Sequence, residues 1–101
     1  MKHYYVITRS RSNDTGFMSC SIVQSILETD LDRAKARLNE MANICCDRIS
    51  QDKGSKNIKK TVLDDSIIIQ YVTCKLYDGE TIIENHERIT FKIEKINKIE
   101  L

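Results

Sequence analysis

The side chains able to do acid–base, nucleophilic or metal chemistry are few in this 101-residue chain: two histidines, His3 and His86, and four cysteines, Cys20, Cys45, Cys46 and Cys74. A zinc site wants Cys or His pairs separated by two to four residues. Cys45 and Cys46 are adjacent and no second pair lies nearby, so neither a metal nor a cofactor is expected. A Cys–His nucleophile needs its two side chains within hydrogen-bond reach. In the strand register derived below, Cys74 and His86 point to opposite faces of a hairpin, which counts against that dyad. Asp64 and Asp65, and likewise Glu84, Glu87 and Glu94, lack DxD or ExxH spacing and stand among lysines, a pattern of solvated carboxylates rather than of a general acid and base. Only Gly16, Gly54 and Gly79 are present, and none sits in a phosphate-cradling loop. The sequence therefore reads as non-enzymatic.

One polar constellation stands out. Tyr71, Thr73, Glu84, His86 and Arg88 fall on a shared strand face in the expected register, where a small polar ligand or a partner's backbone could be met; a solvated sheet face gives the same pattern. Arg9 and Arg11, with Lys53, Lys56, Lys59 and Lys60, are the candidate phosphate contacts for a nucleic acid. The net charge is only +1, and aromatic side chains interleaved with the cations, as single-strand binders require, are missing.

These residues must be positioned by one helix and a sheet. Thr29 to Ser50 is the one long amphipathic helix: Leu31, Ala34, Leu38, Met41, Ala42, Cys45 and Ile49 keep the i, i+3, i+4, i+7 spacing that places them on one side. Thr29 is the expected N-cap, with Asp32 three residues on completing a capping box. Ile44 lies away from the stripe with Arg33, Arg37, Glu40 and Arg48, and reads as an ordinary exposed residue. The cysteines on the helix read as reduced, small buried hydrophobes.

Strands account for the remainder. Residues 3–9 are β-branched and aromatic without a breaker. A turn-rich stretch, 10–16, leads to a second strand over 17–27, whose Met18, Cys20, Ile22 and Ile26 are expected to face the helix. Residues 51–60 read as a polar, mobile linker. From Val62 a long hairpin turns at Asp78-Gly79, because a two-residue type I′ turn needs positive φ at both positions. Placing Tyr77 opposite Glu80 pairs Tyr71 with His86, Thr73 with Glu84 and Ile69 with Arg88. Neither face of that hairpin is cleanly apolar, which implies either a bulge at Asn85-His86-Glu87 or a tip that projects beyond the core. Strands of ~12 residues run roughly 40 Å, longer than the helix can cover, so Tyr77, Ile82 and Ile83 are candidates for self-association. The tail carries Ile93, Ile96 and Ile99 and reads as a fraying turn or a continued edge strand.

The chain is thus expected to be one α+β domain spanning 1–101, with a four-stranded, mainly antiparallel sheet in the order β-β-α-β-β and the helix packed on one face. Without a secretory segment or an apolar run of ~20 residues, a cytoplasmic location and no membrane span are expected. The favoured function is a protein-interaction module, an inhibitor or adaptor that masks a partner protein, acting as a homodimer or higher oligomer. An Ile-, Lys- and Asn-rich composition without Pro or Trp resembles that of an AT-rich genome and is compatible with a phage or mobile-element origin. The alternatives are a protein that binds or sequesters a small polar ligand or nucleotide and, third, a weak nucleic-acid binder.

Overall fold

A computed structural model describes residues 3–16, 18–28 and 30–97, leaving aside the side chains of residues 3, 4, 21–28, 77, 81 and 97 within the strands. Strands β1 (His3–Asn13) and β2 (Met18–Glu28) precede helix α1 (Leu31–Gln51), and β3 (Ser55–Val62), β4 (Ser66–Tyr77) and β5 (Thr81–Asn97) follow it. The class is α+β as expected, but the sheet has five strands, in the spatial order β2-β1-β5-β4-β3, all paired antiparallel. Strands β1 and β2, β3 and β4, and β4 and β5 form hairpins, helix α1 carries the chain from β2 at one edge to β3 at the other, and the β1–β5 pairing joins the two hairpin groups into one sheet. Its central strand is β5, the longest at 17 residues.

The fifth strand comes from the segment that composition marks as a linker. Asp52 ends α1 by donating its N–H to the Ile49 carbonyl, and its carbonyl and carboxylate then accept from Ser55 and Gly54 N–H groups. That turn delivers β3 to the edge of β4, where a backbone row of partners outweighs the polarity of Lys56, Lys59 and Lys60. Lysines are well suited to an edge strand, because they oppose pairing with another chain. A bulge between Lys56 and Lys59 shifts the register, with Asn57 at φ 57° in the left-handed region that Asn tolerates.

The β4–β5 register also departs from expectation, by one residue. Asp78 and Gly79 do take positive φ, 55° and 73°, but Glu80 joins the turn and Tyr77 pairs with Thr81. A slip of one moves every β5 side chain to the other face relative to β4. Tyr71 is therefore opposite Glu87 rather than His86, Thr73 opposite Asn85 rather than Glu84, and Ile69 opposite Ile89 rather than Arg88. This register explains the apolar pattern without a bulge at Asn85-His86-Glu87: Ile67, Ile69 and Tyr71 line up with Phe91, Ile89 and Glu87 on the helix side.

Helix α1 packs on that side through Ala34, Leu38, Ala42 and Ile49, with Met41 and Cys45 half-buried beside them; Leu31 is more exposed than its place in the stripe suggests. Its N-cap is Asp30, whose carboxylate accepts the Asp32 N–H at 3.0 Å; the expected cap, Thr29, lies outside the described residues. In β2, Met18 and Cys20 pair with Ser12 and Ser10 and are exposed on the outer face, the reverse of the expected orientation. The Ile22 and Ile26 side chains, and Ile99, lie outside the described residues. Ile93 is part of the core and Ile96 is exposed, so the tail continues β5 at the sheet's centre. No helix among the described residues is long and apolar enough to cross a membrane.

Candidate functional site

Alternation along β1 decides the site. Ile7 faces the helix, so the residues two and four positions on, Arg9 and Arg11, face it as well; they lie opposite Phe91 and Ile89 of β5. The apolar stripe of the sheet thus gives way to guanidinium groups beneath the last two turns of α1. The helix contributes Met41, Ile44, Cys45, Arg48 and Ile49 from above, and the sheet contributes Tyr71, Ile89 and Phe91 from below, around a cleft of about 400 Å³. A second hollow of about 550 Å³ adjoins it and shares Arg11, Asp52 and Thr73; Asn13, Lys75, Asn85 and Glu87 form its far side. The first hollow is apolar-walled with three guanidinium groups to one carboxylate, Asp52. The second is polar.

Glu87 is only 6% exposed. Its Oε1 accepts from Asn13 Nδ2 at 3.5 Å, while Oε2 lies 3.5 Å from Arg11 Nε but accepts no hydrogen bond among the described residues. Arg9 Nε is buried and likewise finds no acceptor there. A buried donor or acceptor without a partner carries its full desolvation penalty, roughly 1–3 kcal/mol and more for charged groups.

Neither the thiol nor the phenol in the cleft is activated. Burial pushes the Cys45 thiol up, against the opposing pull of Arg9 and with Cys46 adding to the rise. Burial also raises Cys46, with Lys60 opposing, and it raises the Tyr71 phenol, with Arg11 opposing and Glu87 reinforcing. A protonated thiol is a poor nucleophile, and a protonated phenol serves as a hydrogen-bond donor and acceptor. Among the described residues no three His, Cys, Asp or Glu side chains converge as a metal site would need.

The residues singled out from the sequence are divided by the corrected register. Tyr71 and Thr73 line the cleft. Glu84, His86 and Arg88 pair with Cys74, Val72 and Gln70 on the opposite, exposed face. There Glu84 bonds Lys56 Nζ at 2.7 Å, which lowers the Glu84 carboxyl and raises the Lys56 ammonium. The same shift puts Cys74 and His86 on one face, as diagonal neighbours, correcting the expectation that they point apart; Cys74 Sγ itself donates to Glu84 Oε1 at 4.0 Å.

The cations proposed for nucleic acid are also dispersed. Arg9 and Arg11 point into the cleft, Lys60 bonds Asn43 of the helix at 2.7 Å, Lys56 lies on the outer face, and Lys53 belongs to the helix–strand turn. Between β1 and β3 run β5 and β4, a separation of roughly 14 Å. At the hairpin tip Ile82 and Ile83 are 65% and 40% exposed, and Leu76 is 67% exposed; the Tyr77 side chain lies outside the described residues.

The wall residues that sequence reasoning passed over are Arg48 and Ile44, one turn apart beside the core stripe. Arg9 and Arg11 were legible as a cation pair but were assigned to phosphate contacts; carrying the period-two pattern on from Ile7 is the signal that places them under the helix. No protein-family model, curated protein or solved structure matches this chain. Its site is therefore judged by its chemistry alone, guanidinium groups standing over an apolar floor.

Proposed function

We propose that this chain is a non-enzymatic binding protein that captures a small organic anion in the cleft between α1 and the sheet. The observation that carries this reading is the Arg9 side chain, whose buried Nε lacks an acceptor among the described residues, with two further guanidinium groups lining the same cleft. A buried guanidinium N–H without an acceptor is costly, and the planar fork of the group matches carboxylate and phosphate oxygens. Met41 and Ile44 add apolar surface, contributing roughly 25 cal/mol per Å² removed from water. The raised Cys45 thiol favours binding over chemistry.

The test is a calorimetric titration with 4-phenylbutanoate and with phenyl phosphate, a carboxylate and a phosphate each on an aromatic hydrocarbon body. At least one should bind, and Arg9→Met, which keeps the aliphatic stem, should weaken it about tenfold or more, the 1.4 kcal/mol or greater expected for a charge-assisted hydrogen bond. Binding unaffected by Arg9→Met in a protein with an unchanged melting temperature would remove the cleft from consideration.

A second reading keeps the protein-masking role, an inhibitor or adaptor, and rests on the exposed Leu76, Ile82 and Ile83 at the hairpin tip. The two readings use different surfaces and are compatible. Nucleic-acid binding has less support, because its candidate cations are divided between the two faces of the sheet, Arg9, Arg11 and Lys60 on the helix side and Lys56 and Lys59 on the other.

A further inference from the structure

We infer that the ligand of this cleft is amphoteric, an organic anion bearing an N–H donor at the end remote from its oxyanion; this rests on the anion-binding reading above. Two buried polar atoms that make no hydrogen bond among the described residues, one of them in an ion pair at 3.5 Å with Arg11 Nε, belong to side chains lining the two connected hollows. Arg9 Nε, a donor, belongs to the apolar hollow, and Glu87 Oε2, an acceptor, belongs to the polar one. Arg11, Thr73 and Asp52 form the wall common to both.

A simple anion satisfies only the first atom. It also brings negative charge toward Glu87, which is 6% exposed and so poorly screened by water. A donor on the far end of the ligand turns that repulsion into a hydrogen bond. Asn13 already occupies Glu87 Oε1 at 3.5 Å, which leaves Oε2, 3.5 Å from Arg11 Nε, as the oxygen without a hydrogen-bond donor among the described residues. The charges along the cleft run the same way. Arg9 and Arg48 belong to the apolar hollow alone, whereas in the polar hollow Arg11 stands 3.5 Å from Glu87 and the remaining cation, Lys75, is exposed.

Spacing sets the ligand's length. Arg9 pairs with Phe91, and Glu87 pairs with Asn13, so the two side chains are rooted four residues apart along the strands, about 13 Å at ~3.3 Å per residue. Both side chains extend into the gap, which leaves room for a hydrocarbon or aromatic body with polar groups at its two ends. A free oxyanion such as inorganic phosphate is too short to meet both.

Three matched probes distinguish this inference from its parent: 4-phenylbutanoate, 4-(4-aminophenyl)butanoate and 4-phenylbutylamine, titrated calorimetrically into the unmodified protein, Arg9→Met and Glu87→Gln. The aminophenyl carboxylate should bind about fivefold or more tightly than 4-phenylbutanoate, and the amine without a carboxylate should not bind. Glu87→Gln should reduce the advantage to less than about twofold. Equal affinity of the two carboxylates, with both lost in Arg9→Met, would overturn the amphoteric ligand and leave anion binding standing. Affinity for the carboxylates that ignores Arg9→Met would overturn both. The comparison of probes on the unmodified protein needs no variant, so a Glu87→Gln chain that fails to fold does not shelter the inference.

Discussion

At the scale of single residues, the cleft pairs ordinary groups with unusual surroundings. Arg9 and Arg11 are unremarkable in composition but occupy strand positions that the upstream Ile7 marks as core, and burial rather than charge dominates the thiols and the phenol around them. That burial has a consequence at alkaline pH. Cys45 and Cys46 are raised from an ordinary 9.0 and Tyr71 from 10.0, each chiefly by desolvation of the charged form. In the unfolded chain these groups lose their protons first, so the folded state holds more protons across that interval. Their contribution to stability is complete below about pH 9 and is lost as pH climbs through their raised values. In a reducing buffer the melting temperature should fall from about pH 8.5 to about pH 11, and a Cys45→Ala, Cys46→Ala double variant should show a shallower fall in the lower half of that range. Identical slopes for the two proteins would mean that the thiols do not titrate differently on folding.

At the scale of elements, the helix was legible and the sheet was legible only by class. Period 3.6 over Ala34, Leu38, Ala42 and Ile49 identifies both the helix and its buried face, because side-chain burial alone sets that pattern. Strand faces depend on register, and register depends on turn length, which sequence specifies weakly. Asp78-Gly79 announced a turn, yet the inclusion of Glu80 moved His86, Arg88 and Glu84 away from Tyr71 and Thr73. Strand β3 was hidden for another reason. Its residues are lysine-rich and mostly exposed, so neither alternation nor hydrophobicity reveals a strand held by backbone pairing at an edge. Asn57 carries that element, at φ 57° within the bulge. Asn57→Gly should be near-neutral, since Gly adopts positive φ without steric cost. Asn57→Val should destabilise by about 1–2 kcal/mol, the penalty for a left-handed conformation, measured by urea denaturation. Equal stability of the Val and Gly variants would show that the bulge relocates.

At the scale of the whole molecule, the shape separates two surfaces. The described fold extends 59 × 25 × 17 Å, whereas a 21-residue helix covers only about 32 Å at 1.5 Å per residue. One end of the β4–β5 hairpin therefore stands clear of the helix, and it carries Leu76, Ile82 and Ile83 in exposed positions. Leu76 lies opposite Ile82, so these two share a face, while Ile83 projects to the other beside Lys75. Such a two-faced apolar tip suits embrace by a second chain better than simple stacking of one flat face. If the tip mediates self-association, Ile82→Glu and Ile83→Glu together should shift the protein to a smaller species in native mass spectrometry. The same substitutions should leave binding in the cleft unchanged, because neither residue lines it. An unaltered oligomer would exclude the tip as the contact, and a unmodified protein that is already monomeric would leave the hairpin available only to a different protein. Loss of cleft binding on dissociation would instead join the two surfaces, making assembly of the chains a condition for capturing the anion.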